Sequence, residues 1–137
     1  MIMRSQKFTG ALLVLLFAIS VAATTQKMRR IATGVWGGPH ISINVGAKSA
    51  TVEYDCASGV INGPLRTDAY GRFDLSGIHR MERGGPVRAD DKPAEHPATY
   101  TGSIKGNTME LTLKVGDSDA ETFTLKKGKP GELFKCK

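Results

Sequence analysis

The residues that most often carry catalytic or redox chemistry are scarce in this chain. Its 137 residues include one tryptophan, two cysteines and three histidines. Cys56 and Cys136 stand far apart, so there is no Cys-x-x-Cys and no thiol-exchange motif. Two distant thiols do not make a metal centre, and His40, His79 and His96 have no spacing that would define one. Gly-x-Ser-x-Gly, His-Glu-x-x-His and a phosphate-binding loop are all absent, which removes the familiar hydrolase, metalloprotease and nucleotide sites. Ser58 has no identifiable base. Glu53 and Asp55 read as solvated carboxylates on one strand face, opposite the core. The chain is therefore expected to be a non-enzyme, with no catalytic residue, no cofactor and no metal.

Long apolar runs are missing too. The one continuous stretch, residues 11–22, is shorter than the roughly 20 residues that span a bilayer. Arg4 and Lys7 precede it and the small residues Val21, Ala22 and Ala23 follow it, which is the pattern of a secretory signal peptide over residues 1–23. The expected destination is outside the cell or in the periplasm, and the chain is not expected to span a membrane after cleavage. Cleavage removes two of the 19 basic residues and none of the 13 acidic ones, leaving 114 residues with a net charge of +4. The lysines and arginines are spread out and are not interleaved with aromatic residues, which argues against nucleic acid. In an oxidising compartment an even pair of cysteines reads as one disulfide, Cys56–Cys136.

What is present is alternation. Residues 40–45 place Ile41, Ile43 and Val45 on one face, and residues 50–56 do the same with Ala50, Val52, Tyr54 and Cys56. Between them, residues 46–49 make a turn. Ahead of this hairpin, Gly34-Val35-Trp36-Gly37-Gly38 reads as a bend around an indole that either seals one end of the core or lines a ligand mouth. Residues 24–33 have no period and read as a flexible leader. Residues 57–59 read as a turn. Pro64 demotes the run 60–66 to an edge or irregular strand. In the run 72–82, Phe73, Leu75, Gly77, His79 and Met81 share a face, with Gly77 read as a bulge or bend. The segment 83–97, with three prolines, two glycines and six charged residues, reads as the longest loop. Alternation then resumes through 99–104, 108–115 and 122–126, and residues 132–136 read as a closing strand.

About eight short strands with frequent turn signals and no helical period after the signal predict an all-β domain over residues 34–137. Short connections between neighbours favour a small up-and-down meander β-barrel, closed so that no sheet edge is left exposed.

Gly34 and Trp36 form the Gly-x-Trp that often opens the first strand of lipocalin- and avidin-like meander barrels, which this chain resembles. The resemblance implies a barrel holding one small ligand. The chain departs from lipocalins in its length and in lacking their helix and Thr-Asp-Tyr motif. It departs from avidins in having a single Trp where their biotin site uses several. In size and compartment it is also similar to periplasmic barrels that inhibit hydrolases. Trp36-Gly37-Gly38-Pro39-His40-Ile41, Glu53-Tyr54-Asp55-Cys56, Glu82-Arg83-Gly84-Gly85-Pro86 and Leu133-Phe134-Lys135-Cys136 resemble a family of small secreted bacterial proteins. That likeness implies compartment and fold and carries no activity with it.

Two binding functions follow. The first is a small apolar or amphipathic ligand in the barrel mouth near Trp36, Tyr54, His79 and Tyr100. The second is an envelope or extracellular protein held by the 83–97 loop, through Arg80, Arg83, Gly84, Gly85 and Arg88, where arginine forks meet an anionic partner. The competing plain readings are a buried, hydrogen-bonded His79 and a turn with an arginine salt bridge. Asp90, Asp91 and Glu95 beside His96 read as a solvated charged loop.

Overall fold

The runs of strict alternation pair as antiparallel ladders in a computed structural model that describes residues 20–86 and 88–136. Among the described residues ten strands are formed: β1 (Arg29–Arg30), β2 (Gly34–Gly38), β3 (Ile41–Val45), β4 (Ala50–Tyr54), β5 (Ala57–Ile61), β6 (Arg66–Thr67), β7 (Arg72–Met81), β8 (Glu95–Lys105), β9 (Thr108–Val115) and β10 (Glu121–Lys127). No helix occurs among the described residues. Eight strands close into a meander barrel in the order β10-β2-β3-β4-β5-β7-β8-β9, with β1 and β6 forming a separate two-stranded ladder. The expected signal peptide, except for its last four residues, lies outside the described residues.

Register follows the hydrophobic pattern. Ile41 faces Tyr54, Ile43 faces Val52 and Val45 faces Ala50, so β3 and β4 turn the same set inward. Trp36, Ile41, Ile43, Val52, Ile61, Tyr100, Met109, Leu111 and Leu125 lose essentially all their solvent contact. Each contributes about 1.5–3 kcal/mol of transfer free energy. All but Trp36, which sits at one end, fill the waist of the barrel.

Several expectations need correction. Gly34–Gly38 is a strand rather than an entrance bend. Its glycines hide the alternation, but they are needed because a Cβ on Gly37 or Gly38 would collide with the backbone of Lys129–Gly131 or of Thr124. Ala57 and Gly59 belong to β5, and the turn before them is Asp55–Cys56, where Cys56 takes a φ of 54°. The chain leaves the sheet at Ile61, ahead of Pro64. Gly77 is no bulge, since its pairing with Ile61 and Ala98 is unbroken. It is glycine because a Cβ there would strike the Val60 carbonyl and come within 2.9 Å of the Tyr100 ring. The long loop ends earlier than expected, because His96 and Pro97 already lie in β8. The leader is not free throughout: Arg29–Arg30 pairs with Arg66–Thr67, and Ile31 is buried with the core.

Closure also differs from expectation. Residues 132–136 form no strand, and Glu132 makes only a single parallel bridge to Pro39. The ring is closed by β10 against β2, through the pairs Lys126–Gly37 and Lys127–Trp36 and the Gly128 N–H donating to the Val35 carbonyl at 2.7 Å. Past this seam the C-terminal segment runs outside β2 and β3 to the Cys56–Cys136 disulfide, whose Cα atoms are 5.0 Å apart.

Candidate functional site

The disulfide end of the barrel is open. A cavity of about 850 Å³ lies there, bounded by the last residues of β4, β7 and β9 and the first of β5, β8 and β10. Its wall is apolar, built from Tyr54, Ala57, Leu113 and Phe123 on the inward faces of their strands. Its rim is polar, with His40, Asp55, His96, Asp117, Asp119 and Glu121.

At the floor, two side chains and a main-chain carbonyl, from three strands, form a chain of hydrogen bonds. The Tyr54 hydroxyl donates to the Tyr100 hydroxyl at 3.2 Å, and Tyr100 donates to the Ile78 carbonyl at 3.2 Å. Burial, followed by the neighbouring Tyr100, pushes the Tyr54 hydroxyl far above the usual phenol range. Burial raises Tyr100 as well. Both are neutral donors at any physiological pH. The His79 ring packs at a tilt against Tyr54 at 5.4 Å, and Phe123 does so at 5.9 Å.

Among the described residues, His79 is the one side chain that burial leaves with an unpartnered polar atom. It is buried on the apolar face of β7, as its place in the alternation requires. The hydrogen bond expected of such a histidine is missing, because Nδ1 is enclosed without a partner. Burial, with His96 adding to it, lowers the proton affinity of the ring, and Glu121 opposes this. At neutral pH the ring is therefore uncharged.

The rim is braced by the C-terminal segment. Asp55 lies beyond the end of β4 and does not share a strand face with Glu53, so the expected solvated pair is corrected. Its carboxylate accepts the Phe134 N–H at 2.7 Å and pairs with His40 Nδ1. The Phe134 hydrogen bond, with His40 in support, holds the Asp55 carboxyl below the usual carboxylate range. His40 has a φ of 65°, and its ring leans on Phe134 at 5.8 Å.

Of the four residues expected at a ligand mouth, three meet. Tyr54 and His79 line the cavity and Tyr100 supports them from below. Trp36 does not join them. It is 2% exposed and seals the opposite end, beside a cavity of about 240 Å³ that it shares with Ile31, Thr67 and Ile104. Its indole N–H points to the Ala32 carbonyl at 3.5 Å. Trp36 is a plug.

The expected partner-binding residues lie along one edge of the open end. Arg80 is engaged by Glu95 across the β7–β8 ladder at 2.7 Å, the plain reading of that arginine. Arg83 and Arg88 form no ion pair among the described residues. Gly85 takes a φ of 99°, and residues 83–86 and 88–97 are exposed.

The residues that were not anticipated are Asp117, Asp119 and Glu121. In sequence they look like an ordinary solvated turn and strand start. Only the ring order shows that this turn opens at the same end as Tyr54 and His79. Compared with protein-family models, curated proteins and solved structures, the chain matches none.

Proposed function

We propose that this is a secreted or periplasmic, non-catalytic binding protein that seats a small amphipathic ligand in the open end of its barrel. The observation that carries the reading is the contrast between a waist filled with side chains and one end left as a cavity of about 850 Å³ with an apolar wall beneath a polar rim. Pockets of that size and lining suit a small molecule. The ligand rests against Tyr54, Leu113 and Phe123 and does not pass the waist.

A direct test is a titration with a neutral amphiphile such as octyl glucoside, followed by backbone amide shifts. Saturable shifts confined to Leu113, Val115, Phe123 and their neighbours are expected. Shifts scattered over the surface, or none, would remove the ligand reading. Trp36 fluorescence would not report on this site, because the indole is buried at the far end.

A second reading has its own observation. Phe134 and Met81 are 71% and 57% exposed beside the same opening, next to the 83–97 loop with Arg83 and Arg88. Exposed apolar side chains grouped at a rim suit a protein partner, in the manner of a hydrolase inhibitor. Replacing Arg83 and Arg88 by alanine should abolish capture of such a partner, and unchanged capture would remove the loop from consideration.

A further inference from the structure

The open end is acidic in a basic protein. The chain carries 19 Lys and Arg against 13 Asp and Glu. Even so, among the described residues no lysine or arginine lines the cavity, whereas Asp55, Asp117, Asp119 and Glu121 do. Asp55 is occupied by the Phe134 N–H and His40. Asp117, Asp119 and Glu121 have no ion-pair partner among the described residues. All three sit on one side of the mouth, in the β9–β10 turn and the start of β10.

The field of Glu121 reaches inward. Glu121 acts electrostatically on both Tyr54 and His79, favouring the protonated form of each. The floor has nothing to answer it with. Tyr54 and Tyr100 are neutral, and the His79 ring is buried and uncharged, with Nδ1 unpartnered. A buried polar atom left without a partner is uncommon in a completed core. Above it the Tyr54 and Phe123 rings meet at a tilt of 40°, and aromatic faces attract cations in the same sense as the carboxylates do.

We propose that the occupant of this cavity is an amphipathic cation, a protonated amine or quaternary ammonium carried on a short apolar body. The inference rests on the reading of the cavity as a ligand site. The ammonium lies among Asp117, Asp119 and Glu121, and the apolar body lies on Tyr54, Leu113 and Phe123. An anionic amphiphile of the same length would bring its charge to the same three carboxylates and be rejected, so the rim selects by repulsion as well as attraction.

The test compares octyltrimethylammonium, octyl glucoside and octyl sulfate on the exported protein, each below its micelle concentration. Affinity is read by calorimetry and location by the amide shifts of Leu113, Val115 and Phe123. The ammonium should bind about tenfold or more tighter than the sulfate. Asp117→Asn, Asp119→Asn and Glu121→Gln should each weaken it about two- to fivefold, the range of exposed ion pairs, and leave the glucoside unchanged. The three side chains are exposed, so the fold should tolerate all three changes. Raising the salt to about 0.15 M should narrow the gap between ammonium and sulfate. Equal affinities, or a tighter sulfate, would overturn the cation inference while leaving the ligand reading intact. A preference for the ammonium that survives the triple variant would overturn it too, since the charge would lie elsewhere. No cavity shifts with any of the three compounds would overturn both.

Discussion

The Asp55 carboxylate and the Phe134 N–H, 79 residues apart in the chain, meet at 2.7 Å on the rim of the open barrel end. With the Cys56–Cys136 disulfide beside it, this hydrogen bond fastens the C-terminal segment to the β4–β5 turn. A charged acceptor makes such a bond stronger than a neutral one.

Acid should loosen this fastening. The folded Asp55 carboxyl is held below its ordinary value, first by Phe134 N–H and then by His40. Asp68 is lowered in the same way by the backbone N–H groups of Arg72 and Tyr70. For groups lowered on folding, the stabilisation is full above the unfolded value near 4 and is lost as pH falls through the lower folded value. Asp55→Asn and Asp68→Asn should therefore flatten the acid limb of the melting temperature against pH. An acid limb identical to that of the parent would contradict the assignment.

His79 should act in a different window. Its proton affinity is lowered on folding by burial, so the folded state binds fewer protons than the unfolded one. Its stabilisation is full above the ordinary histidine value of about 6.5 and declines as pH falls from there toward the folded value. His79→Phe removes the unpartnered Nδ1 and the titration together. The variant should match or exceed the parent by up to about 1 kcal/mol at pH 7, with a smaller loss between pH 7 and 5 in urea melts. A loss of several kcal/mol would mean that Nδ1 has a partner after all.

Removing the cross-link should be expensive. The bond spans 80 residues of sequence, and loop entropy for that span sets an upper value of about 4 kcal/mol. Urea unfolding of the Cys56→Ser, Cys136→Ser double variant measures it. Mass spectrometry of the parent purified without reductant should find no free thiol.

Gly77 should not tolerate a methyl group. A Cβ there meets the Val60 carbonyl and the Tyr100 ring, and overpacking of this kind destabilises by about 1–3 kcal/mol. Gly77→Ala is the variant, and Ser76→Ala on the exposed face is its control, expected within about 0.5 kcal/mol of the parent. Equal effects would place Gly77 outside the packed interior.

How much of this was readable from the chain depended on where each residue sits in the alternation. β3, β4 and β9 are strict period-two runs, and their inward sets are the observed core. β2 was missed because four of the six residues from Gly34 to Pro39 are glycine or proline, which blur any period. Its strand state comes from close backbone neighbours that no local pattern records. Residues 132–136 carry a plausible strand pattern, but β10 already occupies the edge they would have joined. The site divided along the same line. Tyr54 and His79 were found because inward-facing polar residues stand out against an apolar face. Asp117, Asp119 and Glu121 were not, since turn carboxylates look alike at either end of a barrel. Trp36 was recognised as an end residue, and only the closed ring shows which end.

The seam between β10 and β2 has a consequence for how the chain may be cut. Every other neighbouring pair in the ring is joined in sequence order, so the barrel is a circle of hairpins opened at one point. Because the two strands at the opening lie side by side, a linker from β10 back to β2 would need to span only adjacent strands. New termini could then be placed in an exposed turn such as that of Lys48 and Ser49. A circular permutant of this kind would keep the ring order and begin on a different strand, while giving up the C-terminal segment with its disulfide and its hydrogen bond to Asp55 at the rim.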